Sequence, residues 1–336
     1  MTPSLRIGLT PSGLRRFRLS AMALDDFDLD PTTADAVIAL ADPRLRAEAV
    51  TRLDGGANSA VFEVRTSGGG ALVVKVYSDT FHWKMEKEVF VYGLLNGRAL
   101  AAPVPVILAA DDSKTLLPQN VLVMTKLDGE HVLSLLDRLD DEELAHVNRQ
   151  IGAFLRSLHE VGFDRFGYVG TDGIVGPHDT NLAYMRFQFD KKLRELADLG
   201  GDDGLRRRIE RHVAEREDLL AGCPRASYCH NDCHYGNVLV LPGAGGWRMS
   251  GMLDFENVLA GDPLLDLAKA HCYSPRRNEM LLAALVEGYG DLRADWREAF
   301  DLYVLYHWLE LWDWLASLGQ TEALEGLTDE MRRPAR

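Results

Sequence analysis

Hydrophobic positions along this chain change period twice. Val61-Phe62-Glu63-Val64 alternates, a Ser67-Gly68-Gly69-Gly70 turn follows, and the chain returns through the apolar run Ala71-Leu72-Val73-Val74-Lys75-Val76-Tyr77. With Gly55-Gly56-Ala57-Asn58-Ser59 in front, this predicts a glycine-containing hairpin with a lysine on its returning strand. The period then lengthens. Met85, Val89, Tyr92 and Leu95 share one face of a predicted helix, and Ala102-Pro103-Val104-Pro105 ends it. A strand over Val121-Leu122-Val123-Met124 leads into Thr125-Lys126-Leu127-Asp128-Gly129. From about residue 130 the pattern is mostly helical. Ile151, Phe154, Leu155 and Leu158 form one stripe ending near His159, and 191–220 mixes charge and leucine as a solvated amphipathic helix would.

One stretch of the helical half reads as strand. Val238-Leu239-Val240-Leu241 and Met252-Leu253 flank the turn-rich Pro242-Gly243-Ala244-Gly245-Gly246, which predicts a short hairpin with a polar loop at each end. The first loop is Cys229-His230-Asn231-Asp232-Cys233-His234-Tyr235-Gly236-Asn237, and the second is Asp254-Phe255-Glu256. The hairpin places Asp232, Asn237 and Asp254 near one another. Phosphoryl transfer needs such a set: a carboxylate to orient a hydroxyl and receive its proton, and oxygen ligands to hold magnesium on the phosphates. The glycines and Ser59 of the first hairpin suit close approach to phosphate, although no Gly-Lys-Ser/Thr opens a helix as in a Walker loop.

The His-x-Asp-x-x-x-x-Asn spacing from His230 to Asn237, with the Asp-Phe-x loop at Asp254, resembles the aminoglycoside phosphotransferases. They are relatives of choline kinase and, more distantly, of protein kinases. The resemblance runs in order from about residue 51 to 315. It implies an α+β, bilobal protein-kinase-like fold. Residues 1–50 would be an arm and leading helices, and 51–127 a small nucleotide-binding lobe with an antiparallel sheet. Residues 128–336 would form a larger, mainly helical lobe for catalysis and acceptor binding. The resemblance carries catalytic-base work to Asp232, metal ligation to Asn237 and Asp254, and bracing of the catalytic loop to His230. Gly-Asp-Pro-x-x-Asp-Leu-Ala over 261–268 matches the family's short activation segment and makes Asp266 a second brace. That segment is too short for a protein substrate's shelf, which favours a small acceptor.

On the same resemblance, ATP or GTP would lie between the lobes against Gly55, Gly56, Asn58 and Ser59. Val61, Val73 and Leu239 would line an apolar slot, and the backbone of Met124, Thr125, Lys126 and Leu127 would meet the base. Lys75 would neutralise phosphate oxygens, aligned by Glu88. Glu86 competes for that partnership, and the family-like run Glu88-x-x-x-Tyr92-x-x-Leu95 decides for Glu88. Asn231 stands where the family more often has glycine, a change expected to be tolerable if its backbone φ is not positive. Asp-Phe-Glu in place of Asp-Phe-Gly argues against a flipping switch. A nucleotide-binding scaffold without turnover would lack the base, a metal ligand or the lysine, and none is missing. Choline, a sugar, homoserine or a nucleoside stay open as acceptors.

Composition adds three points. The 336 residues, 46% hydrophobic, suffice for two packed lobes, and no apolar run is long enough to span a bilayer. Four cysteines in so long a chain argue against a disulfide framework and for a reduced, cytoplasmic protein. Zinc at Cys229-His230-x-x-Cys233-His234 is disfavoured, since no second ligand pair follows at finger spacing. The first 24 residues hold Arg6, Arg15, Arg16 and Arg18 and no acid, which reads as a disordered arm or an over-called start. Residues 1–127 balance 14 basic against 14 acidic side chains, so the net charge of −14 falls on 128–336. There Trp296, Trp308, Trp312 and Trp314 cluster in sequence, and His307, Glu310 and Trp314 share a helix face with Asp313 beside it. With Glu256, these residues are expected to bind a cationic, hydroxylated acceptor of the aminoglycoside type through acidic focusing and cation–π contact. The chain is expected to act as a monomer, with a dimer left open, and with neither nucleic acid nor membrane as partner.

Overall fold

The computed structural model describes Leu24, residues 27–53 and residues 59–333; the arginine-bearing arm and Gly55, Gly56 and Asn58 lie outside these. The small lobe contains α1 (Pro31–Ile38), β1 (Ala47–Arg52), β2 (Ser59–Thr66), β3 (Ala71–Tyr77), α2 (His82–Gly93), β4 (Ile107–Asp111) and β5 (Asn120–Thr125). The strands form one antiparallel sheet in the order β1-β2-β3-β5-β4. The sheet starts at Ala47, ahead of the expected lobe start at 51. α1 belongs to it: Pro31 opens the helix, Asp30 caps it by accepting from the Thr32 and Thr33 amides, and Ala34, Val37 and Ile38 pack on the sheet.

Period-two alternation divides the sheet between two tasks. Phe62, Val64, Leu72, Val74, Val76, Val121 and Val123 face α1 and form a closed apolar core. Val73, Tyr77, Leu122 and Met124 lie on the other face and pack with Met85 of α2. Lys75 shares that second face, opposite Val61 of β2. The period of α2 misleads in one respect. Val89 is 37% exposed, whereas Lys87 and Glu88 are buried. The helix is covered by the sheet on one side and by the large lobe on another, so its buried residues do not form a single apolar stripe.

The large lobe runs through β6 (Glu130–His131), α3 (Asp141–Leu158), β7 (Gly162–Phe163), β8 (Phe166–Val169), β9 (Ile174–His178) and α4 (Asn181–Asp198). It continues with α5 (Asp203–Ala214), α6 (Glu217–Ala221), β10 (Ala226–Cys229), β11 (Val238–Gly243), β12 (Gly246–Met252) and β13 (Leu259–Gly261). It ends with α7 (Leu264–Cys272), α8 (Glu279–Tyr289), α9 (Trp296–Ser317) and α10 (Leu324–Arg332). The stretch 191–220, expected as one helix, is divided among three. Gly200 at φ +80° ends α4, and the Gly201 amide closes the turn on the Leu196 carbonyl. α9 is buried on nearly every side, so Trp308 and Trp312 are core residues, while Trp296 is half-buried and Trp314, 41% exposed, reaches the surface. No helix among the described residues is long and apolar enough to cross a membrane.

α3 and α8 touch backbone to backbone. A Cβ on Gly152 would lie 2.1 Å from the Leu285 carbonyl oxygen, and one on Gly288 would lie 1.9 Å from that of Arg149. No rotamer change relieves such a clash. Gly288→Ala should therefore cost about 2 kcal/mol or more in urea unfolding, at the upper part of the range for overpacking. Gly290→Ala, open around its Cβ but at φ +89°, should cost less.

Candidate active site

The β11–β12 hairpin joins the two polar loops. Val238 pairs with Met252, and the Leu253 amide donates to the Asn237 carbonyl at 2.9 Å, so the ends of both loops lie on adjacent strands. Between them, His230 acts as a strut. Its Nδ1 accepts from the Asp232 amide at 3.1 Å, so its Nε2 carries the proton and donates to the Leu253 carbonyl at 2.9 Å. Burial pushes its pKa down, which suits this neutral tautomer. Phe255 is fully buried and packs against His230 at 4.4 Å between ring centroids.

Asp266, on α7, anchors the loop from below. It accepts from the amides of His230 and Asn231, each at 2.7 Å, and contacts His159 Nε2 at 2.9 Å. Burial alone would raise its pKa, but the hydrogen bond and charge of His159, with His230 and the Asn231 amide, hold it below the ordinary carboxylate value. His159, Cys229 and Asp266 are the group among the described residues whose ligand atoms approach within 4.8 Å. Asp266 is already saturated by hydrogen bonds there, which makes the group a brace.

Two residues of these loops adopt left-handed backbone. Asn231 has φ +59° and Asp254 φ +64°. The condition expected for Asn231 is thus not met. The position does demand left-handed geometry, and asparagine is among the few non-glycine residues that visit it readily. Its side chain donates to the Asn257 carbonyl at 3.3 Å.

Asp232 projects from the loop with Asn237 and Asn257 directed at it. Asn237 Nδ2 donates to the Asp232 carbonyl at 2.9 Å and lies 3.4 Å from Oδ2, while Asn257 Nδ2 lies 3.3 Å from Oδ2. His234 Nε2 stands 3.7 Å from Oδ1, oriented by the Gly236 amide donating to its Nδ1. Sequence reading missed His234 and Asn257 as neighbours of Asp232. The His234 signal was present, two residues on within the same loop, whereas nothing in the spacing marked Asn257. Asp254 is pushed up to about 7 by burial and by the charges of Glu256 and Asp232, against the pull of Lys75.

Across the cleft, Lys75 Nζ meets Glu88 Oε1 at 2.5 Å, and the Tyr77 hydroxyl donates to the same oxygen at 2.6 Å. Burial opposes the Lys75 charge, but Glu88 and Asp254 together hold its pKa above the ordinary value. Glu86 is exposed on α2. Val61 and Val73 share the Lys75 face, partly exposed, and Ser59 pairs with Tyr77 at the end of that ladder. Met124 is buried, and Thr125 is tied to β4 because its amide donates to the Val106 carbonyl. Lys126 lies 3.7 Å from both Glu63 and Asp128. Leu127 packs so close to Gly251 that a Cβ there would stand 2.4 Å from its Cδ1. Leu239 is buried on β11.

A cavity of about 900 Å³ opens beside Asp232. Its walls carry six acids, Asp232, Glu256, Glu195, Asp198, Glu310 and Asp313, against two lysines, Lys192 and Lys269. Trp314 also lines it. His307 does not: it is buried, with Nε2 bonded to the Leu265 carbonyl and Nδ1 beside Glu310, and it braces α9 against α7. Glu310 is engaged by Lys269 at 2.5 Å and, although burial opposes it, is held well below the ordinary range. Asp313 differs. Neither of its buried oxygens has a hydrogen-bond partner within 3.5 Å, Lys192 Nζ stands 3.7 Å away, and burial, with the neighbouring Glu195, pushes its pKa up to about 7 against the pull of Lys192.

The fold is shared with solved kinase structures. A "putative fructosamine-3-kinase" from Thermobifida fusca YX-ER1 superposes with a TM-score of 0.65 at 22% identity, over 90% of this chain and 98% of that one. A thermostable mutant of aminoglycoside phosphotransferase APH(4)-Ia gives 0.64 at 17% identity, over 91% and 98%. The GDP and kanamycin complex of APH(2")-IIia gives 0.64 at 14% identity, over 90% and 97%. The α+β bilobal architecture is that of the protein-kinase-like fold. Residues 49–302 match the model of the phosphotransferase enzyme family, and the chain therefore belongs to that family.

Proposed function

We propose that this phosphotransferase moves the γ-phosphoryl group of ATP or GTP to a hydroxyl of a cationic small molecule, with aminoglycosides as the leading acceptor class. The carrying observation is the convergence of Asp232, Asn237 and Asp254 on one side of the cleft with the Lys75–Glu88 pair on the other. The nucleotide would lie between residues 51–127 and 128–336, with Lys75 against its phosphates and the acceptor hydroxyl at Asp232. Asp232 orients that hydroxyl and takes its proton late in transfer, held in place by Asn237 and Asn257. His234 bounds the same space. Asn237 and Asp254 suit a divalent cation: Asp254 is half-buried and crowded by the acids Glu256 and Asp232, which a bound cation would offset. Magnesium, when bound, would neutralise charge on the phosphates.

The six-to-two excess of acids over lysines around the cavity supports a cationic acceptor. Two of the similar structures hold kanamycin or gentamicin and others hold hygromycin B. Asp313 is the acid best placed to gain from an ammonium group, because Lys269 is bonded to Glu310 at 2.5 Å whereas Lys192, 3.7 Å from Asp313, sits 2.6 Å from Glu195.

Asp232→Ala and Asp254→Ala should each lower turnover a hundredfold or more, about 3 kcal/mol of transition-state stabilisation, while leaving the circular dichroism spectrum and the melting transition in place. Near-normal turnover by either would remove the assignment. Asn237→Ala should be milder and partly rescued by excess magnesium.

Glu88→Gln should raise the KM for ATP, whereas Glu86→Gln should leave it unchanged. The reverse ranking would show that Lys75 is aligned otherwise.

Asp313→Asn separates binding from stability. The folded carboxyl titrates near 7, above its ordinary 3.8, so stability declines as pH rises from about 4 to about 7 and the full penalty remains above that. The asparagine variant should melt higher than the parent at pH 8 and equally at pH 4. With kanamycin as probe, the same variant should raise KM severalfold at pH 8 with little change in kcat. Turnover of a neutral alcohol, with no response to kanamycin, gentamicin or hygromycin B, would overturn the acceptor class and leave phosphotransfer standing.

A further inference from the structure

α2 carries Glu88 between two different attachments to the large lobe. The attachment after Glu88 is ordinary packing. The Tyr92 and Phe255 rings lie 5.1 Å apart, and the Tyr228 hydroxyl donates to the Val91 carbonyl at 3.1 Å. The attachment before Glu88 consists of two lysines. Lys84 Nζ meets Glu256 Oε1 at 3.1 Å. Lys87 is only 1% exposed, its ammonium lies 3.4 Å from the centre of the Tyr168 ring on β8, and it has no hydrogen-bond partner. Tyr168 in turn directs its hydroxyl at the Glu256 carbonyl, 3.4 Å away. Both lysines therefore converge on one small assembly of Tyr168 and Glu256.

That assembly adjoins the chemistry. Asp254, Phe255 and Glu256 are consecutive, so Phe255 receives the apolar end of α2 while Glu256 receives the charged end. The Tyr92–Phe255 packing and the Tyr228 hydrogen bond fix one end of α2, and the lysines fix the end before Glu88. Neither lysine is needed to fill space. A methionine would occupy the Lys87 site without burying an ammonium that lacks an acceptor, which costs several kcal/mol in general. Burial indeed pushes the Lys87 amine down to about 7, with Glu256 opposing and Lys84 adding to the shift. What the ammonium supplies in return is a cation–π contact across the lobes, of the strong desolvated kind.

We propose that Lys84 and Lys87 are positioning residues that clamp α2 to the Tyr168–Glu256 assembly and so set the distance between the Lys75–Glu88 pair and Asp254. The inference rests on the nucleotide-binding reading of Lys75 and Asp254, and the two fail separately. Amide exchange of α2 in the nucleotide-free protein reports the clamp alone, while AMP-PNP binding by the unaltered protein reports the site.

The test compares Lys87→Met, Tyr168→Phe, Tyr168→Leu and the Lys87→Met/Tyr168→Leu double variant in the full chain. Amide exchange over 82–93 is measured without nucleotide, and AMP-PNP affinity with magnesium by calorimetry. Lys87→Met should weaken AMP-PNP binding about tenfold and speed exchange in α2, while its melting temperature holds or rises because a buried charge is gone. Tyr168→Phe keeps the ring and should behave as the parent. Tyr168→Leu should match Lys87→Met, and the double variant should be no worse than either single one. Lys84→Met, at a less buried position, gives the same reading should the Lys87 variants fold poorly. Unchanged affinity and exchange in Lys87→Met and Lys84→Met would overturn the clamp. So would additive losses in the double variant, or equal damage from Tyr168→Phe and Tyr168→Leu.

Discussion

A single buried carboxylate holds the loop that carries Asp232 in shape. Asp266 binds two successive amides of that loop and the imidazole of His159, all without solvent. Those amides belong to His230 and Asn231, the two residues before Asp232. Their backbone turns left-handed at Asn231, a conformation that costs energy and persists only when its surroundings over-determine it. The carboxylate supplies that determination. His230, fixed from behind, then reaches forward to Leu253 and fixes the second loop. One anion on α7 thus positions groups on both loops, and the hairpin between them needs only to keep its register.

The same economy appears in the small lobe. One face of the sheet is spent on an apolar core with α1, and Val61, Val73 and Lys75 share the other. Glu88 can serve Lys75 because α2 lies against that second face, and Tyr77 adds a donor to the same carboxylate. The pair is polar and nearly dry, so each group would be costly to bury without the other.

How much was legible in the sequence depended on the kind of regularity involved. Loops whose polar residues sit at fixed intervals between strand-like runs were readable, and so was Lys75 on a period-two strand. Glu88 was preferred over Glu86 on a run of residue types, and burial separates them in the same sense. Misreadings came where two surfaces press on one helix. α2 buries Lys87 and exposes Val89 because part of its cover is another lobe, which the local period cannot announce. His307 and two of the four α9 tryptophans, Trp308 and Trp312, fall in the core for the same reason: a helix covered on nearly every side has little polar face to read. The division of 191–220 hinges on the backbone at Gly200, and a mixed pattern of charge and leucine conceals it. The neighbours Asn257 and Tyr168 are brought in by tertiary packing alone, so spacing carries no sign of them.

The four cysteines have a practical consequence. All are free thiols, all are buried, and Cys229 opens the loop that carries Asp232 while Cys233 follows that residue directly. Burial pushes each thiol well above its ordinary pKa, so the reactive thiolate is scarce and out of reach. The folded protein should withstand alkylating reagents and mild oxidants. By the same logic, alkylation of Cys233 can proceed only when the loop that carries Asp232 opens. Slow labelling at that sulfur is then a clock for the breathing of that loop, already built into the chain and requiring no substitution to read.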